Sequence, residues 1–312
     1  MKVLFWGTPD FGLPSLDAMR AAGHEIVGAV TNPDRPAGRG RSLRRSAVKR
    51  WAEEAGVPVL QPERPRGDDF LDAARALGPD VSVVAAYGQI LRQDVLDLPP
   101  LGSLNVHGSL LPALRGAAPV NWAIIRGHPA GGVSIMRMVL ELDAGPVFAR
   151  EPIPIGPATT AGELYEATAR RGGELLVRVL RELEAGTARA EEQDHDRATY
   201  APKLARDDAR IDWGKPASDV DRWIRGCDPW PAAWTELEGS PVQLFAPGPE
   251  EEGAGDAAPG TIVEAHPVRG LAVAAGGGTL LRVGEVKPAG RRRMTSAAWI
   301  RGTEGLEGEG FA

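Results

Sequence analysis

Cysteine is almost absent: with Cys227 alone, the chain can form neither an internal disulfide nor a cysteine-rich metal site. Five histidines are scattered, none at ligand spacing from a cysteine or carboxylate, so no metal is expected. No run of about 18 apolar residues occurs, which speaks against a membrane-spanning helix. Met1-Lys2 passes directly into strand-like residues 3–6 without a basic-then-apolar leader, so the expected compartment is the cytosol, with no membrane partner. No internal repeat is visible. The glycine turn at residues 7–12 lacks what a nucleotide would need. Gly7-Thr-Pro has no second glycine of a dinucleotide fingerprint, and Gly12 is followed by Leu13-Pro14 instead of Lys and Ser or Thr. A tight strand-to-helix turn is the expected reading.

What is present is an ordinary globular composition, 43% hydrophobic and 25% charged, in 312 residues, more than one typical core fills. Two domains are therefore expected. Net charge is −6, but residues 31–50 hold seven basic side chains (Arg35, Arg39, Arg41, Arg44, Arg45, Lys49, Arg50) against Asp34. That local excess suits phosphate on an otherwise acidic body. The bland alternative is a solvated loop in an arginine-biased chain, since only five of 36 basic residues are lysines.

The first half alternates short apolar strands (residues 3–6, 26–30, 81–85, 104–106) with helices (13–22, 46–55, 69–77), the pattern of a mostly parallel sheet covered on both faces. A long helix is predicted over 161–185, weakened at Gly172-Gly173. A polar stretch from 186 to about 208 reads as a connection. Beyond it a helix near 219–225 and short strands at 242–245, 261–264, 271–274 and 280–283 suggest a small barrel. Residues 247–259 are expected to form a mobile acidic loop, and 303–312 to fray. Trp223, Trp230 and Trp234 are read as packing residues in preference to base-stacking ones.

The chemistry concentrates in Asn105-Val-His107-Gly-Ser-Leu-Leu-Pro112, Arg115-Gly-Ala-Ala-Pro119 and Leu142-Asp143-Ala-Gly145. An amide and an imidazole can hold the charge that develops when a carbonyl carbon is attacked, and a carboxylate can orient the ring and accept a proton. Asn105 and His107 fall at the carboxyl end of a predicted strand, where ligands of such sheets sit. No covalent nucleophile accompanies them. Taken singly, His107 is also an ordinary hydrogen-bonded strand-end histidine, and Asp143 an ordinary turn residue.

These motifs, with Phe5-Trp-Gly-Thr-Pro-Asp-Phe11, Arg35-Pro-Ala-Gly-Arg-Gly40, Ala86-Tyr-Gly-Gln-Ile-Leu91 and Ala209-Arg-Ile-Asp-Trp213, resemble the methionyl-tRNA formyltransferase family over nearly the whole chain. The resemblance implies an α/β fold: a Rossmann-like formyltransferase domain with a mostly parallel sheet at 1–188, a linker at 189–205, and a smaller OB-like β-barrel domain at 206–312 that binds tRNA. It implies 10-formyltetrahydrofolate as co-substrate and initiator methionyl-tRNA as partner, with a monomer favoured. Asn105, His107 and Asp143 would be catalytic. Ser109, Leu110, Leu111 and Pro112 would contact folate, opposite a wall of Tyr87, Gly88, Gln89, Ile90 and Leu91. Arg35, Arg39 and Arg41 would meet the tRNA acceptor end, helped by Lys203 from the linker and Arg291, Arg292 and Arg293 from the barrel. The chain departs from the family pattern at Ser42, where a second basic residue is usual, and at Val139 and Glu141, where many relatives carry an acid and a glycine. A formyltransferase for a small amine, such as a nucleotide sugar or glycinamide ribonucleotide, and a catalytically idle RNA-binding protein stand as alternatives.

Overall fold

A computed structural model describes residues 1–37 and 42–312. The chain divides into two compact units: residues 1–119, 130–154 and 165–202 form the first, and 120–129, 155–164 and 203–312 the second.

The first unit opens with β1 (Lys2–Gly7), α1 (Leu13–Ala21) and β2 (Glu25–Val30). A short hairpin of β3 (Arg35–Ala37) and β4 (Ser42–Arg44) follows, then α2 (Ala47–Ala55), β5 (Val59–Leu60), α3 (Asp68–Ala76), β6 (Val81–Ala85), α4 (Gln93–Leu96), β7 (Ser103–His107) and β8 (Arg115–Gly116). After α5 (Pro119–Ile125), which lies almost wholly in the second unit, come β9 (Ala130–Arg137), β10 (Val147–Pro154), α6 (Ala161–Glu184) and β11 (Tyr200–Ala201). One sheet runs in the order β10-β9-β7-β6-β1-β2-β5. Its pairs from β5 to β7 are parallel, and β9 and β10 extend it antiparallel. Side chains alternate across a strand, so Val3 and Phe5 enter one apolar cluster while Leu4 and Trp6 enter the other. Burial on both faces is why the parallel strands read as continuous apolar runs.

Between the predicted strand at 26–30 and the predicted helix at 46–55, β3 and β4 pair as antiparallel arms, Arg35 opposite Arg44. One expectation changes here. Gly172 and Gly173 leave α6 unbroken and serve contact: a Cβ would stand 2.8 Å from Val106 Cγ1 at the first and 2.7 Å from the Pro14 carbonyl oxygen at the second.

The second unit holds α7 (Ala217–Cys227), β12 (Trp234–Leu237), β13 (Ser240–Glu252), β14 (Ile262–His266), β15 (Gly270–Ala275), β16 (Thr279–Pro288), β17 (Met294–Thr295) and α8 (Ser296–Arg301). Its antiparallel sheet runs β12-β13-β16-β15-β14, with β17 beside β16. The acidic stretch expected as a mobile loop is, up to Glu252, the second half of β13, paired with β16 beyond an irregularity between Pro247 and Glu250. The tail expected to fray is pinned. Phe311 N–H donates to Gly260 O at 2.9 Å, Ile262 N–H to Glu309 O at 2.8 Å, and Ala312 and Glu236 exchange two backbone bonds. The tail thus bridges the two edge strands and closes the sheet, which removes unpaired edges. Cys227 is fully buried, which pushes its thiol up to about 12. Trp223 and Trp234 pack against this core as expected, whereas Trp230 is 65% exposed.

Candidate active site

Strand β7 builds the site. Leu104 and Val106 point into the core, so alternation turns Asn105 and His107 together to the opposite face, at the carboxyl end of the sheet. Asp143 arrives from the turn between β9 and β10. Its Oδ1 stands 3.5 Å from Asn105 Nδ2, and its Oδ2 3.7 Å from His107 Nδ1. The closest donor to the carboxylate is one the sequence did not suggest, the backbone N–H of Gly116, at 2.8 Å from Oδ2. The His107 ring is oriented less by Asp143 than by the Leu114 carbonyl oxygen, 3.0 Å from Nε2. Both ring nitrogens therefore face oxygen acceptors, and only Nε2 lies within hydrogen-bond reach of one. Asn105 Nδ2 keeps donor capacity for a reacting group; with Nε2–H given to Leu114 O, Nδ1 of His107 donates only when the ring is doubly protonated. Gly145 in Leu-Asp-Ala-Gly is dictated by space, since a Cβ there would fall 2.0 Å from the Arg137 carbonyl oxygen.

The neighbouring loops separate into fixed and open parts. Ser109 spends its hydroxyl within its own loop, donating to Ala113 O at 2.6 Å, while Ser134 ties Ser109 O and Leu111 N–H together. Arg150 Nε donates to Leu111 O at 2.8 Å. Leu111 is buried, whereas Leu110 and Pro112 are half-buried. On the other side, Tyr87 and Leu91 are core residues; the Tyr87 ring meets Trp6 edge-on at 5.4 Å, and burial pushes its hydroxyl up to about 12. Gly88, Gln89 and the 89%-exposed Ile90 remain at the surface. Asn32 laces this loop to its neighbours, donating to Tyr87 O at 2.8 Å and to Thr8 Oγ1 at 2.9 Å while accepting from Gln89 at 2.6 Å. A lone asparagine after a strand gave no signal of that role.

The basic stretch is less positive than its composition. Arg45 pairs with Glu53 at 2.8 Å, Lys49 with Asp34 at 2.6 Å, and Arg35 lies 3.9 Å from Glu63. Glu53 and Glu63 lie outside the window in which the charges were counted. Arg39 and Arg41 fall outside the described residues. In the second unit Lys203, Arg291 and Arg292 are exposed. Arg293 is committed elsewhere: it binds both oxygens of Asp228 at 3.0 and 3.2 Å, reaches Glu285, and lies 4.0 Å above the Phe245 ring. No cluster of three or more His, Cys, Asp or Glu suited to a metal occurs among the described residues. Among those residues no helix is long and apolar enough to cross a membrane.

The family model described as Formyl transferase matches residues 1–180, and Formyl transferase, C-terminal domain, matches 203–304. A methionyl-tRNA formyltransferase of Desulfotalea psychrophila is 46% identical over 304 residues, covering 97% of this chain and 93% of that protein. Another, from Salinispora arenicola, is 44% identical over 312 residues and all of both chains. The chain belongs to the methionyl-tRNA formyltransferase family. The membership expected from its motifs is borne out, as is the fold class. Among solved structures, HypX from Aquifex aeolicus in complex with tetrahydrofolic acid aligns with a TM-score of 0.66 at 20% identity, covering 98% of this chain. This chain spans only 48% of HypX. Methionyl-tRNA formyltransferase from Clostridium thermocellum aligns with a TM-score of 0.55 at 12% identity, covering 80% of this chain and 93% of that one. At such identities these likenesses speak for the fold alone.

Proposed function

We propose that this enzyme transfers the formyl group of 10-formyltetrahydrofolate to the α-amine of methionine esterified to initiator tRNA. The observation that carries this reading is the convergence of Asn105, His107 and Asp143, from two separated stretches of chain, at the carboxyl end of the sheet in a family defined by that transfer.

The neutral amine nitrogen attacks the formyl carbon, forming a C–N bond and a tetrahedral oxyanion. Asn105 Nδ2 and, in the doubly protonated form of the ring, His107 Nδ1, neither closed off by a short bond to Asp143, donate to that oxyanion. Such contacts are often long before substrate binds and shorten in the reacting complex. Asp143 takes the amine proton through water. Collapse of the intermediate breaks the bond to the folate N10, which receives a proton, so one proton passes in total from acceptor nitrogen to donor nitrogen. Residues 109–112, with Gly88, Gln89 and Ile90, hold the pterin in this reading, with Tyr87 and Leu91 supporting the wall from the core.

The same reading takes 1–188 as the catalytic domain, 189–205 as the linker and 206–312 as an OB-like tRNA-binding domain, in a cytosolic monomer. Arg35, Arg39, Arg41, Lys203, Arg291 and Arg292 would meet phosphates; arginine suits them because its planar fork binds phosphate bidentately. Arg293 is the weakest of the proposed contacts because its donors are occupied.

The test is transfer of labelled formyl from 10-formyltetrahydrofolate to methionyl initiator tRNA, methionyl elongator tRNA and a nucleotide amino sugar. Initiator tRNA should be the preferred acceptor; equal labelling of the amino sugar would reject the reading in favour of a small-amine enzyme.

A further inference from the structure

Arg115 is the most deeply buried cation of the first unit, 1% exposed. Removing a guanidinium from water costs several kcal/mol unless its donors are met. Its partners are unusual. Nε and Nη2 both donate to Gln193 Oε1, at 3.2 and 2.8 Å, Nη2 stands 3.4 Å from His195 Nδ1, and Nη1 lies 3.7 Å from the largely exposed carboxylate of Glu141. The hydrogen bonds of this buried charge thus go mainly to a neutral amide. That amide passes them on, for Gln193 Nε2 donates to Asp143 O at 2.8 Å and to Gly145 O at 2.7 Å. An amide whose oxygen is bound to a cation is polarised and donates more strongly through its nitrogen.

The contacts close on themselves. The Arg115 side chain holds Gln193, Gln193 holds the backbone on either side of Ala144, and the Asp143 carboxylate accepts from the N–H of Gly116, next in chain to Arg115. The segment carrying Gln193 is itself docked. Glu191 pairs with Val147 at the start of β10, and β11 runs parallel to β8, with Tyr200 opposite Arg115. Residues expected to connect two domains therefore reach back to the turn that carries Asp143.

We propose that Gln193, fixed by Arg115, is a positioning residue for the formyl transfer: it sets the backbone from which Asp143 projects toward Asn105 and His107. The inference rests on the transfer reading given above. Neither residue touches the reacting atoms in this scheme. Gln193 acts through Asp143, so its effect depends on the carboxylate being there.

The experiment is a cycle in the full-length chain with Gln193→Ala, Asp143→Asn and the double variant. Gln193→Glu accompanies it, because it preserves size and the acceptor for Arg115 while replacing the donation to Asp143 O and Gly145 O by a charged acceptor that repels both carbonyls. Displacing a reacting group by about an ångström costs on the order of 100-fold, so each Gln193 variant should lower kcat by roughly 10- to 100-fold with KM for folate within about twofold. In the Asp143→Asn background, Gln193→Ala should cost no more than about twofold further, as expected of groups acting as one unit. Turnover of Gln193→Glu within twofold of the parent, or an undiminished loss in the Asp143→Asn background, would overturn the proposal. Amide exchange gives a second readout: Gly116 N–H should exchange faster in Gln193→Glu while the β1 and β6 amides stay protected, and unchanged Gly116 protection would equally overturn it. Should the parent chain fail to formylate methionyl-tRNA, the transfer reading falls, and Gly116 exchange still decides whether Gln193 holds the carboxylate in place.

Discussion

Asp143 and Leu114 adopt left-handed backbone, with φ of 49° and 60°. That region is sparsely used by non-glycine residues, and both meet His107, one by its carboxylate and one by its carbonyl. Aspartate and asparagine visit it more readily than other side chains, so Asp143→Asn keeps the turn while removing the charge and one acceptor oxygen. This variant should lose about 10²- to 10⁴-fold in kcat, the range of general acid-base contributions, with its thermal midpoint unmoved. Parent-like turnover would remove Asp143 from the chemistry. At this scale the side chains of the candidate site were legible in the sequence through the family resemblance, since His107 and Asp143 taken singly have ordinary structural readings. Gly116 N–H and Leu114 C=O were not, since every residue carries those groups and only the fold aims them.

Elements were read well where periodicity was strong and poorly where composition stood in for it. The strands and helices predicted in the first half fall within a residue or two of their observed bounds, while β9 and β10 were not among them. Glu250, Glu251 and Glu252 were assigned to loop from their polarity, yet β13 continues through them, because backbone pairing with β16 asks nothing of side-chain type at an irregular stretch. Gly172-Gly173 was read as helix weakness, which is correct as propensity and incomplete as packing. Gly173→Ala tests the difference. Alanine favours an isolated helix by about 1 kcal/mol, but here its Cβ would meet the Pro14 carbonyl at 2.7 Å. Chemical denaturation should show a net loss of about 1–3 kcal/mol, the usual cost of overpacking; a gain in stability would dismiss the close approach.

Across the whole molecule, each unit is completed by chain that looked peripheral. In the first, Gln193 and β11 come from the presumed connection. In the second, Phe311 is buried, stacked with Trp213 at 5.8 Å and with Trp299 at 6.5 Å, beside the buried Leu306. Phe311→Ala should therefore cost about 3–5 kcal/mol, as large aromatic truncations in cores do, measured as a lower unfolding midpoint for the second unit. A change below about 1 kcal/mol would mean that the tail adds little to closure.

By itself the sequence determined the family and the parallel sheet and singled out the three polar side chains of the candidate site, because apolar alternation and unusual residue combinations are local properties of a chain. Only the tertiary structure decided that Asn105 and His107 share a face with Asp143, that Gln193, bound by the buried Arg115, bonds to the backbone of Asp143 from 50 residues further on, and that the last residues close a barrel. Those depend on backbone donors and long-range register, which gain their meaning only when distant segments are brought together.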